Sequence, residues 1–105
     1  MARLLKTLTG VVEAPVAEVS TAFDVNPATG MAVAQGDWWY RSELTVDADG
    51  PDRSMVTQRI FNVAEKARWA SWFVARKPLK AAPGAFKAHL TVVGNALGCR
   101  AYPTP

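Results

Sequence analysis

The stretch GDWWYRSELTVDADGPDRSMVTQRIFNVA, residues 36–64, limits the folds open to this chain more than any other. From Trp38 to Val46 the even positions hold Trp38, Tyr40, Ser42, Leu44 and Val46, while Arg41, Glu43 and Thr45 share the other side with Trp39. Side chains alternate across a strand, so this run reads as a strand with one buried face. DADGPDRS follows, with a glycine, a proline and three aspartates, each suited to a turn. The return run, Met55 to Val63, has two phases open to it. Its odd positions carry Met55, Phe61 and Val63 with Thr57 and Arg59; its even positions carry Val56 and Ile60 with Gln58 and Asn62. A one-residue slip exchanges the two faces. The odd set has more apolar residues and is the expected inward face, which puts Tyr40 opposite Phe61 and Ser42 opposite Arg59.

The buried face of this hairpin needs a covering layer, and the C-terminal third supplies one. From Pro83 to about Gly98, Phe86, Leu90, Val93 and Leu97 form a stripe at helical spacing, flanked by Ala85, Val92 and Ala96, with Lys87, Thr91 and Asn95 opposite. Gly98 is a helix stop, and YPTP cannot continue a helix. Upstream, RLLKTLTGVVE (residues 3–13) reads as a strand. APVAEVSTAFDV reads as a short helix with Pro15 in its first turn and Val16, Val19 and Phe23 on one face; it ends near Asn26-Pro27. Met31 to Gln35 is expected to form a short edge strand. Residues 65–76 read as a second short helix with Trp69, Trp72 and Phe73 on one side, stopped by Pro78 and followed by the linker LKAAPG. The expectation is an α+β fold in one domain, residues 1–105: an antiparallel sheet packed on a long C-terminal helix.

Several function classes are disfavoured. The single cysteine, Cys99, excludes an internal disulfide and a cysteine-built metal site, and fits a reducing cytoplasm. One histidine builds no multi-histidine metal centre, so no metal or cofactor is expected. The opening MARLLKTLTGVVEA reads as mature structure rather than a signal peptide, and no apolar run approaches the roughly 20 residues that span a bilayer. Net charge is +3, a weak field for nucleic acid. Between Glu65 and Lys80, five cations face one anion, a segment charge of +4 that leaves the rest of the chain at −1. Aromatic and basic residues together suit a cover over a cavity mouth, a dimer contact or a membrane surface, but a helix of about three turns disfavours stable membrane binding.

VVEAPVAEV resembles the opening of the helix-grip superfamily, the group of START lipid-transfer domains, pollen-allergen-type carriers and polyketide cyclase-like proteins also called SRPBCC. WWYRSELTVDADGPDRSMVTQRIFNVA is similar to that family's late sheet hairpin, and AFKAHLTVVGNALG to the helix its curved sheet grips. The resemblance covers both ends and most of the later half. Complete members are longer by about a third and place several strands where this chain has only Pro27 to Asp37, which at about 3.3 Å per residue makes one short strand and a turn. The resemblance therefore implies a reduced helix-grip domain, with a shallow groove or with a second copy completing the sheet; the homodimer is the expected resolution.

What the resemblance implies about function is binding of a small hydrophobic molecule between sheet and C-terminal helix. The expected liners are Trp38, Tyr40, Phe61, Phe86, His89 and Val93. Ser42, Arg59 and His89 would hold a carboxylate if the odd phase of the return strand applies, since arginine grips carboxylates with two prongs; the simpler alternative is that Arg59 faces solvent and Gln58 or Asn62 faces in. His89 is otherwise a buried core histidine with one satisfied hydrogen bond. Two alternatives stand beside the carrier. One is a cyclase- or dehydratase-like enzyme, with His89 as acid or base and Tyr40 or Arg59 polarising a carbonyl; no catalytic motif such as G-x-S-x-G accompanies Ser42. The other is a ligand-free homodimeric interaction module.

Overall fold

The computed structural model describes residues 3–35, 40–62 and 68–104. Seven elements follow one another among the described residues: β1 (Arg3–Val12), α1 (Val16–Ala22), β2 (Met31–Gln35), β3 (Tyr40–Ala48), β4 (Ser54–Asn62), α2 (Arg68–Leu97) and β5 (Ala101–Thr104). The five strands form one antiparallel sheet in the order β2-β3-β4-β1-β5, and α2 packs on it across β1 and β5. The fold is α+β. No helix of the described residues is long and apolar enough to cross a membrane.

The hairpin settles its own register. Asp49 N–H donates to the Arg53 carbonyl at 2.8 Å, and the Arg53 guanidinium reaches the Asp49 carboxylate at 2.8 Å. A five-residue loop closed in this way sets Ala48 against Ser54, and every later pair follows from it. Tyr40 consequently faces Asn62, and Ser42 faces Ile60. The odd inward phase is thus overturned: Ser54, Val56 and Ile60 are buried with Ser42 and Leu44, while Arg59 is exposed and Phe61 half-buried on the opposite face. Counting apolar residues misjudged the phase because the turn, not the count, decides register.

Helix α1 ends earlier than Asn26-Pro27 implies. Asp24 adopts φ 56°, the Asp24 N–H donates to Thr21 and the Val25 N–H to Ser20, the paired bonds of a Schellman stop. The C-terminus of α2 repeats the device at Gly98 (φ 67°), with Cys99 N–H donating to the Gly94 carbonyl at 2.9 Å and Gly98 N–H to Asn95 at 3.3 Å.

Two expectations about the last third are corrected. The backbone of α2 is one helix of 30 residues, not a short helix, a linker and a second helix. Pro78 and Pro83 lie inside it. An interior proline removes a hydrogen bond and costs about 3 kcal/mol. C-terminal to Pro83, Phe86, Leu90 and Val93 are all buried, and burial of each such side chain contributes about 1.5–3 kcal/mol, enough to offset one such break. The second correction is β5, a strand where none was expected. The reversal at Gly98 sends the chain back along β1, pairing Ala101 with Val12 and Thr104 with Thr9.

The core lies between α1, α2 and the inner sheet face, with Val12, Val19, Phe23, Leu44, Val56, Phe86, Leu90 and Val93 at its centre. Helix and sheet approach closely at Gly10, where a Cβ would stand 2.6 Å from Leu90 Cδ1 and 3.2 Å from Phe86 Cε2. A glycine in mid-strand is what lets α2 lie this near. Ser54, with no exposed surface, donates its hydroxyl to the Ala14 carbonyl at 2.8 Å and ties β4 to the start of α1.

Candidate functional site

A half-open groove of about 460 Å³ lies beside the β1–β5 edge of the sheet. β1 supplies Thr7, Leu8 and Thr9; β5 supplies Pro103 and Thr104; α2 supplies Pro83, Gly84, Phe86 and Lys87. β5 pairs with only part of β1 among the described residues. Its register on β1 stops at Thr9–Thr104, whose hydroxyls are 2.5 Å apart, and among the described residues no strand pairs with β1 on that side beyond this point. Helix α2 forms the other wall, where Gly84 leaves open space: nothing lies within 4 Å of the position its Cβ would take. Phe86, 3% exposed, belongs both to the core and to this wall. Lys87 is the one charged side chain among the described lining residues, and no described carboxylate is ion-paired to it.

A second, smaller groove of about 210 Å³ lies towards β3 and β4, between Tyr40, Gln58 and Ile60 on the sheet and Ala81, Ala82 and Ala85 on α2. A polar depression at the C-terminal end of α2 is lined in part by Cys99, Arg100 and Tyr102. Burial pushes the Cys99 thiol above its ordinary pKa, and the nearby Glu13 charge adds to the effect.

The residues expected from the sequence to form one site are dispersed. Phe86 lines the larger groove and Tyr40 the smaller one. Ser42 and Val93 are buried, Val93 within the apolar core. Arg59 and Phe61 sit on the far face of the sheet, where Arg59 pairs across with Glu43 and Phe61 with Arg41. His89 is exposed rather than buried beneath the helix; its ring stands edge-on to Phe23 at 4.6 Å, and it lines neither groove. The trio of Ser42, Arg59 and His89 therefore does not converge, and neither do His89, Tyr40 and Arg59. Trp38, Trp39 and Val63 lie outside the described residues, as do the side chains of Trp69, Trp72 and Phe73.

The sequence reading missed most of the larger groove. Pro83 and Gly84 looked like linker, and the wall made by β5 looked like a tail. No family model matches the chain, and neither a curated protein nor a solved structure matches it.

Proposed function

We propose that this chain binds a small apolar molecule in the groove between the β1–β5 edge and helix α2. The observation that carries the reading is the groove itself: about 460 Å³, walled by Leu8, Pro83, Phe86 and Pro103, within the roughly 300–1,000 Å³ of small-molecule sites. A reduced helix-grip domain is part of the reading. Its support is the order of a strand, a short helix, a late hairpin and a terminal helix lying on the sheet. The lone thiol, Cys99, fits a cytoplasmic setting.

Titration with N-phenyl-1-naphthylamine, a neutral probe that fluoresces in apolar surroundings, tests the proposal. Saturable one-to-one binding is expected, and Gly84→Phe, which projects a ring into open space, should abolish it while far-ultraviolet circular dichroism stays unchanged. Binding that never saturates, or that Gly84→Phe leaves intact, defeats the reading.

A second reading, a homodimer completed through a sheet edge, is favoured by β2. This edge strand, MAVAQ, carries no charge and no proline, and Val33 is 48% exposed, whereas the opposite edge contains Pro103 and adjoins α2. Uncharged edges invite pairing with another chain. Light scattering after size exclusion should find a dimer that Val33→Lys converts to a monomer; a dimer that survives the substitution removes β2 as its contact.

A further inference from the structure

Resting on the ligand-binding reading, we infer that the groove selects apolar molecules that carry a carboxylate, with the Lys87 ammonium as the group that recognises it. Three observations combine. Lys87 is the one charge among the described lining residues, and no acidic side chain accompanies it there, so the local field favours an anion. Among the described residues it has no ion-pair partner that a bound carboxylate would have to displace.

The third observation concerns the sheet. β5 leaves β1 unpaired on the groove side before Thr9, among the described residues. In an antiparallel strand, neighbouring residues turn their N–H and C=O to opposite sides. Of Thr7 and Leu8, both paired with β4 on the other side, one must therefore turn its N–H towards the groove. A backbone donor on the sheet wall, with the carbonyl of the same residue beside it, and an ammonium on the helix wall flank a space lined otherwise by Leu8, Pro83, Phe86, Pro103 and threonine side chains. That arrangement suits a single-headed organic acid: the chain of the molecule against Phe86 and Pro103, its carboxylate accepting from Lys87. An alcohol of equal length gains the apolar contacts without the charge. An amine gains them against repulsion.

The probe series is octanoate, 1-octanol and octylamine, each displacing N-phenyl-1-naphthylamine from the full chain at low and high salt. Octanoate is expected to bind up to about fivefold more tightly than octanol, in line with up to about 1 kcal/mol for an exposed charge pair, since Lys87 is exposed. Octylamine should be the weakest. Raising salt from about 0.02 M to 0.5 M should shrink the octanoate advantage and leave octanol unmoved. Lys87→Gln should bring octanoate down to the octanol level with octanol unchanged, which separates loss of charge from loss of fold. Equal affinity for octanoate and octanol overturns the inference and leaves the ligand-binding reading intact. So does an octanoate preference that survives Lys87→Gln, which would put the anion elsewhere. If none of the three displaces the probe, or the probe itself does not bind, both fall together.

Discussion

Helix α2 contains two glycines in opposite circumstances, and replacing each with alanine should shift stability in opposite directions. Alanine is better than glycine in a helix interior by about 1 kcal/mol, so both substitutions begin with the same gain. At Gly84 nothing opposes it, because the new Cβ meets no atom within 4 Å. At Gly94 the Cβ would stand 2.9 Å from the Cys99 carbonyl oxygen and 3.0 Å from Ala101 Cβ. Neither neighbour is the free end of a flexible side chain. The Cys99 N–H is tied to the Gly94 carbonyl, and Ala101 is paired with Val12 in the sheet. Relief requires moving the whole α2–β5 connection, which places the cost in the upper part of the roughly 1–3 kcal/mol typical of overpacking. Subtracting the helical gain leaves a net loss of about 1–2 kcal/mol for Gly94→Ala. In a domain this small, 1 kcal/mol moves the melting temperature by roughly 4–8 °C. Thermal melts followed at 222 nm, with urea unfolding as a second measure, should show Gly84→Ala raised by about that much and Gly94→Ala lowered by roughly 5–15 °C. If Gly94→Ala is stabilised as much as Gly84→Ala, β5 does not return over the helix end as described. If Gly84→Ala brings no gain, the helix is not continuous through Pro83-Gly84.

Three further outcomes are expected. Ser54→Ala should cost about 1–2 kcal/mol in urea unfolding, since it leaves the Ala14 carbonyl without its buried donor; a change within error would mean that the tie between β4 and α1 carries no stability. Asp24→Gly should raise stability by about 0.5–1 kcal/mol, because Asp24 holds φ 56° at the end of α1 and glycine takes that conformation without steric cost. Cys99 should react with iodoacetamide more slowly than a free cysteine near neutral pH. Its protonated form is favoured by burial, so the pH–rate curve moves to higher pH and returns to the ordinary range in guanidinium. A curve displaced to lower pH would contradict the burial.

Much of the sheet could be read from side-chain alternation. The strand at residues 3–13, the edge strand at Met31 to Gln35 and the inward phase of Ser42 and Leu44 all agree with the structure, because each depends on local pattern. The Phe86, Leu90 and Val93 stripe agrees for the same reason. What could not be read depends on partners distant in sequence or on loop closure. The phase of β4 was decided by the Asp49–Arg53 loop, which apolar counting does not sense. Pro78 and Pro83 are strong local stop signals, and packing further along the helix overrides them. AYPT has no strand pattern of its own and becomes a strand only because β1 offers an edge. The candidate site needed all three of these features, so the sequence located Phe86 and little else of the larger groove.

The place of β5 also bears on how the molecule is made. The two threonines that meet across β1 and β5 are separated by 95 residues in the chain. β1 is thus an inner strand of the sheet, and both of its neighbours, β4 and β5, are synthesised much later. Until they arrive, Val11 and Val12 have no sheet to enter, although each ends up almost wholly enclosed. Pairings this remote in sequence slow folding and lengthen the time an unpaired strand can be captured by the wrong partner.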